Sequence, residues 1–372
     1  MKKKVGIMTF WFGDSNYGQI LQCWALYSFL EKKGYFPYII RYLSLGEGRL
    51  KRFIRRFLPS RNKLSPKDKL RDFPGFRKKY LCMSDVYTSL DQIQRNPPHA
   101  FAYIAGSDQI WTQSLSNPQI RPYFLDFGSK EIKKIAYAPS FGMQTYPDEN
   151  KPLLKELLQD FDAVSCREYS GVDICREVGI CATKVLDPTL LLTKKDYVEG
   201  LNLTLNKREG IFIYSLNICN PEDIRWSELK QIAKDKSWKI QVTPASGYNE
   251  SSELFDGVEY LYSTPNQWVE QIANSELVVT TSFHGVVFSI IMHTPCVYIP
   301  LKGVHSKSNK RVLDLLIDLG LISRILDDNV MIYSVIGEEI DWVTVDAKIF
   351  QYKDISSRFL LNGLSNFCNE VY

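Results

Sequence analysis

The chain has 372 residues, of which 45% are hydrophobic, 24% charged and 13% aromatic; this excludes a disordered, collagen-like or low-complexity chain. At roughly 150 residues per domain, the length suits two domains, each with its own core. Net charge is 46 − 42 = +4, but residues 49–79 carry 13 Lys/Arg against 2 Asp/Glu, a local +11 that leaves the remainder near −7. Eight cysteines are scattered without a C-x-x-C pair and only four histidines accompany them, so no metal site is expected. No apolar run reaches the ~18 residues of a spanning helix. The apolar run at residues 5–10 leads straight into a polar turn, a poor secretory leader. A cytoplasmic protein with free thiols is expected.

Residues 5–10 have the continuous apolar character of a buried parallel strand. A Gly/Asp/Ser/Asn turn follows at 12–18. Across 19–33, Ile20, Cys23, Trp24, Tyr27 and Leu30 recur at helical spacing, Gly34 stops the helix, and 38–42 reads as the next strand. Strand, loop, helix and strand in that order make a βαβ unit. Further strand-like runs lie at 100–105, 134–138, 163–166 and 184–186. A polar stretch at 193–206 reads as a junction. Beyond it, strands at 210–215, 240–244, 277–281 and 296–300 alternate with helices at 221–236, 266–274, 286–293 and 311–319. The last segment, 347–369, reads as a helix that can pack back across the first domain. The expected architecture is α/β, with two Rossmann-like domains facing a cleft. Residues 1–195 form the first and contain a basic insertion at 49–79, residues 196–345 form the second, and 346–372 form a C-terminal helical segment.

There is no G-x-G-x-x-G and no G-x-x-x-x-G-K-[ST], which argues against a standard dinucleotide site and a P-loop. Polar clusters instead sit at strand ends, where open α/β sheets bind ligands. They are Gly106–Trp111, Tyr137–Gly142, Ser165–Gly171, Val185–Thr189 and Thr280–Gly285. Each also has a plain structural reading: Asp108 as a helix cap, Asp187-Pro188 as a turn. His284 is the sharpest residue. It stands where an apolar strand hands over to a helix whose first N–H groups offer an anion site. The loop 302–310, ending at Arg311, can close over an anion or remain a solvated loop.

Together the clusters resemble the polysaccharide pyruvyl transferase family. The resemblance starts at Asn16-Tyr17-Gly18, runs through Gly106-Ser107-Asp108-Gln109 and Tyr137-Ala138-Pro139-Ser140-Phe141-Gly142, continues at Arg167-Glu168 and Asp187-Pro188-Thr189, and ends at Ser282-Phe283-His284-Gly285. It implies a glycosyltransferase-B-like pair of Rossmann domains. It also implies transfer of the enolpyruvyl group of phosphoenolpyruvate to two hydroxyls of a sugar, forming a cyclic ketal and releasing phosphate. The sugar belongs to a bacterial polysaccharide or its lipid-linked precursor. His284 is then the proton donor, and Asp108 orients or deprotonates the acceptor hydroxyl. Arg167, Ser282, Phe283, Gly285 and Arg311 face the donor. Asn16, Tyr17, Gly18, Ser107, Gln109 and Ser140 line the cleft or acceptor side. No cofactor beyond the donor substrate is expected. Members of the family often carry Arg where this chain has Ser282, and Arg167, Lys302, Lys307 and Arg311 are the cations that can stand in for it.

In the basic stretch, Leu50, Phe53, Ile54 and Phe57 share one helical face among the Arg and Lys residues. A short basic amphipathic helix of this kind docks on an anionic membrane surface; the alternative is an insertion packed on the body. A nucleic-acid partner is not expected. Competing functions are a sugar-nucleotide glycosyltransferase on the same two-domain fold and a catalytically silent family member.

Overall fold

The computed structural model describes residues 2–43, 65–112, 115–245 and 253–365. Two parallel sheets organise them. The first holds β1 (Lys4–Met8), β2 (Phe36–Tyr42), β3 (Met83–Tyr87), β4 (Ala102–Ala105), β5 (Lys133–Ala136), β6 (Ala163–Cys166) and β7 (Thr183–Lys184), in the order β3-β2-β1-β4-β5-β6-β7. The second holds β8 (Ile211–Tyr214), β9 (Ile240–Val242), β10 (Glu259–Tyr260), β11 (Leu277–Thr280) and β12 (Cys296–Tyr298), in the order β10-β9-β8-β11-β12. Strand order reverses between β1 and β4 and again between β8 and β11. In such sheets the crevice at the carboxyl ends of the reversing pair is where ligands bind. The central strands β4, β8 and β11 are buried along their whole length, which is why they read as continuous apolar runs.

The helix α1 (Tyr17–Lys32) follows β1. Asn16 caps it by accepting a hydrogen bond from the Gln19 amide at 3.1 Å. Every residue from Tyr17 to Leu26 is buried, because α1 forms the partition between the sheets. One hydrophobic core therefore runs from β1 through α1 into Trp268, Phe283 and Phe288 of the second domain. Other helices used below are α2 (Phe73–Tyr80), α3 (Tyr169–Glu177), α4 (Pro265–Ala273), α5 (Phe283–Met292), α6 (Lys310–Leu319) and α7 (Trp342–Leu364). The C-terminal α7 does return to the first domain. Its Ser356 hydroxyl accepts from the Leu186 amide at 2.9 Å, and its Gly363 carbonyl accepts from Lys133 at 3.3 Å.

Several sequence expectations change. The stretch 193–206 is not simply a linker: a capping box at Thr193 starts a helix, Lys194–Leu201, whose Tyr197 packs on Trp24 of α1 at 5.3 Å. The helix expected over 221–236 is broken at Arg225, whose φ is 55°. The α5 helix begins three residues before 286, because Ser282 caps it and so brings His284 into its first turn. The strand β3 was not expected; it is a half-buried edge strand without an apolar run. Of the basic stretch 49–79, residues 49–64 lie outside the described residues. The rest holds a short helical turn, Pro66–Lys69, and most of α2. Among the described residues no helix is long and apolar enough to cross a membrane.

Candidate active site at the domain cleft

The two switch points face each other across α1, and His284 enters from the second domain. Ser282 accepts from the Gly285 amide at 3.4 Å and starts α5. Gly285 is pressed against Thr280, with no room for a side chain. These contacts fix the first turn of α5. The imidazole of His284 lies against Gly18 of α1, where a Cβ would overlap the ring at Nδ1. Its Nε2 points to Asp187, 3.7 Å from Oδ2. That is ion-pair range but too long for a hydrogen bond, and His284 Nε2 is buried without a hydrogen-bond partner.

Asp187 is the hub. It is fully buried, and its Oδ1 accepts from the amide and hydroxyl of Thr189 at 3.0 and 2.7 Å. Its Oδ2 accepts from Ser107 Oγ at 3.0 Å and from Arg167 Nη1 at 2.8 Å. Burial alone would push this carboxyl up, but His284, Arg167 and Thr189 hold it well below the usual carboxylate range. Arg167 is buried too. Burial works against its charge, yet Asp187, Glu168 and Asp108 together raise its pKa. The guanidinium stacks over the Phe283 ring at 4.9 Å. Arg311, from α6, lies 5.6 Å from the same ring. Its pKa is pushed down to about 10 by burial and by the Arg167 charge. Arg167 Nε and Nη2 and Arg311 Nε are all buried without a hydrogen-bond partner. Buried donors left open in this way carry a desolvation cost that a bound anion removes.

Asp108 follows β4 in a left-handed conformation, φ 83°. Its Oδ1 accepts from the Gln109 amide at 2.8 Å, and its Oδ2 from Gln19 Nε2 at 3.4 Å. Its charge acts on both Arg167 and Arg311. Gln109 lines the adjoining slot between the domains.

Three cleft residues are corrected. Tyr17 does not face the cleft: it is fully buried, stacked on Trp268 at 5.2 Å, and its hydroxyl donates to the Ser263 carbonyl at 2.7 Å while accepting from Arg71 at 2.7 Å. It fastens the two domains. Ser107 and Ser140 are likewise fully buried. Their hydroxyls donate to Asp187 and, at 2.6 Å, to Glu168, so they orient carboxylates. Asn16 caps α1, and Gly18 makes room for His284. His293 is structural: it ends α5 as its C-cap in a left-handed conformation, φ 55°, stacks on Trp342 at 4.8 Å and meets Asp346 at 2.9 Å.

Of the cations that can stand in for the family's arginine, Lys302 is exposed and pairs with Asp328 at 2.8 Å. Arg311 and Arg167 converge on Phe283. The side chain of Lys307 lies outside the described residues. Asp187, Glu168 and Gln19 were not singled out as site residues. The signal for the first two was present, since both belong to the strand-end clusters, but their partners lie in distant segments.

The class is that of two-domain, glycosyltransferase-B-like proteins with a cleft between Rossmann-like sheets. The structure of a candidate UDP-N-acetylglucosamine 2-epimerase from Listeria monocytogenes superposes with a TM-score of 0.54 at 10% identity, covering 97% of this chain and 95% of that one. Weaker likenesses are to a UDP-N-acetylglucosamine 2-epimerase from Rickettsia bellii (TM-score 0.47, 12% identity, 98% and 97% covered) and to MurG of Acinetobacter baumannii (0.48, 12%, 96% and 99%). No curated protein sequence matches the chain. The polysaccharide pyruvyl transferase pattern matches residues 16–303. The chain belongs to that family and is a transferase acting in polysaccharide synthesis by pyruvyl transfer.

Proposed function

We infer that the cleft binds phosphoenolpyruvate and transfers its enolpyruvyl group to two hydroxyls of one sugar, closing a cyclic ketal and releasing phosphate. The observation that carries this reading is the set of open buried donors, His284 Nε2, Arg167 Nε and Nη2 and Arg311 Nε, around one phenyl ring. A donor with a carboxylate and a phosphate needs such cations and N–H groups. His284 gives a proton to the methylene carbon as a sugar oxygen attacks the adjacent carbon. Asp187 Oδ2 faces the imidazole Nε2 at 3.7 Å. Asp108, held by Gln19, orients the acceptor. The N–H groups at the start of α5 receive the departing phosphate. The acceptor is a sugar of a bacterial polysaccharide or its lipid-linked precursor. The reaction takes place in the cytoplasm, and basic residues of the stretch 49–79 other than Arg71 and Arg77, which pair within the body, contact the inner membrane surface.

Thermal unfolding separates the alternatives. Phosphoenolpyruvate at 100 times its Kd stabilises the protein by about 2.7 kcal/mol. Stabilisation by a nucleotide sugar and not by phosphoenolpyruvate would replace this reading with glycosyl transfer. Donor binding without phosphate release on any galactosyl or mannosyl acceptor would identify a silent member.

A further inference from the structure

Beside the open donors lies a slot between the domains, lined by Gln109, Gln144, Glu168, Ser170, Lys310 and Arg311. Its first-domain wall comes from the loops after β4, β5 and β6, and its other wall is the start of α6. The free space within it is about 10 Å³, room for one water-sized group such as a single hydroxyl.

One atom in this slot is unexplained by the donor reading. Glu168 is 2% exposed. Its Oε1 accepts from Ser140 Oγ at 2.6 Å. Ser140 in turn accepts from the Gly142 amide at 3.1 Å, and its own amide donates to the Asp108 carbonyl at 2.9 Å. The serine is thus fixed as a donor, and the carboxylate is held in one orientation. The other oxygen, Oε2, is buried with no hydrogen-bond partner. Arg167 Nε is 3.8 Å away, beyond hydrogen-bond reach. Asp108, by contrast, has both oxygens engaged. A buried carboxylate oxygen with an open lone pair, beside the open donors, suits an incoming hydroxyl.

We propose that Glu168 is the residue that takes the proton of the acceptor hydroxyl, and that the slot it lines admits that hydroxyl while the sugar ring stays in the open cleft outside it. The assignment rests on phosphoenolpyruvate being the donor. The proton account closes. The first sugar hydroxyl bonds to the enol carbon and gives its proton to Glu168, while His284 protonates the methylene. That carbon then holds methyl, carboxylate, the first sugar oxygen and phosphate, so the second hydroxyl bonds to it only as the bond to phosphate breaks, and returns its proton to His284. As the carbon–oxygen bond to phosphate breaks, Glu168 passes its proton to the leaving phosphate. Both carboxylate and imidazole end as they began, and no further reactant is needed.

The test uses the full chain, phosphoenolpyruvate binding by calorimetry, and phosphate release with a panel of sugar acceptors. Glu168→Gln keeps the shape and the contact with Ser140. It should bind phosphoenolpyruvate within about threefold of the parent, yet turn over at least about 100-fold more slowly, the scale of a lost general base. Glu168→Ala, assayed with added formate, should recover at least about tenfold in rate over a chloride control of equal ionic strength. Formate returns a carboxylate to the site and so also to Arg167; it is the unchanged donor binding of Glu168→Gln, read together with this rescue, that separates a base from a support for Arg167. Turnover of Glu168→Gln within a few fold of the parent overturns the assignment. So does a loss of donor binding that accounts for the whole loss of rate, which would make Glu168 a support for Arg167. Absence of phosphoenolpyruvate binding in the parent itself overturns the donor reading, and this assignment with it.

Discussion

Asp187→Asn probes the hub that joins both domains at the site. The substitution keeps the shape of the side chain and an oxygen for the Thr189 contacts. It removes the charge 2.8 Å from Arg167 Nη1 in a buried pair whose side chains are 2% and 0% exposed. At an effective dielectric of about 20, the lost attraction is 332/(20 × 2.8), about 6 kcal/mol gross. Glu168, 3.8 Å from Arg167 Nε, still offsets part of the guanidinium charge. Breaking a buried pair from one side costs about 3–5 kcal/mol, and the remaining carboxylate places this case near about 3. For a chain longer than 250 residues, about 2 °C or less is lost per kcal/mol, so Tm should fall by roughly 3–6 °C. The pH dependence follows from the direction of the shift. The folded carboxyl is held below its unfolded value, so its contribution is complete above the unfolded pKa of about 3.9 and is lost as pH falls through the folded one. The gap between parent and variant should persist from about pH 8 to 5 and close only in stronger acid. Calorimetry or circular dichroism across that range measures it. A Tm unchanged within about 1 °C at neutral pH, or a gap that closes near pH 6, refutes the hub.

Other outcomes follow from the same contacts. His284→Asn should lower phosphate release at least about 100-fold with Tm nearly unchanged; near-normal turnover removes the imidazole from the chemistry. Gly18→Ala places a methyl group into the His284 ring; it should cost about 1–3 kcal/mol of stability and at least about tenfold in turnover, read by thermal unfolding and by phosphate release. Changing Arg52, Arg55 and Arg56 together to Gln should weaken binding to anionic vesicles at low salt, at up to about 1 kcal/mol per residue. Activity on a water-soluble acceptor should stay unchanged; loss of that activity with vesicle binding intact assigns the stretch to the cleft.

The alternation of strand and helix was legible because parallel strands buried on both faces have to be apolar throughout. Residues 277–281 and 296–300 could hardly be read otherwise. Where burial is one-sided the signal fades. The strand β3 carries Ser84 and Asp85 at a sheet edge, so no apolar run marks it. The α1 helix shows the opposite effect: it is apolar on most sides, and that excess is what its place between two domains requires. Boundaries moved where side chains cap the backbone. Ser282 starts α5 early, and Thr193 turns an expected linker into a helix.

In the site, the sequence marks residues by their local role and conceals the distant one. Asp187 before Pro188 reads as a turn, and its Oδ1 does make that turn with Thr189. Its Oδ2 meets Ser107, Arg167 and His284, from three other segments. Tyr17 errs in the other direction. It neighbours Gly18, which touches His284, yet helical geometry turns successive side chains about 100° apart. Gly18 therefore faces the imidazole while Tyr17 packs on Trp268 and holds the domains together. The charge beside Phe283 shows the same principle. In this chain Ser282 is the cap that accepts from the Gly285 amide and carries no charge. The positive charge comes instead from Arg311 of α6 and Arg167 of the first domain, on the same ring. A site assembled from both domains forms only when they are packed together. The contacts that fasten them, Tyr17 with Arg71 and Ser263, are therefore part of what the chemistry depends on, although none of those side chains needs to touch the substrate.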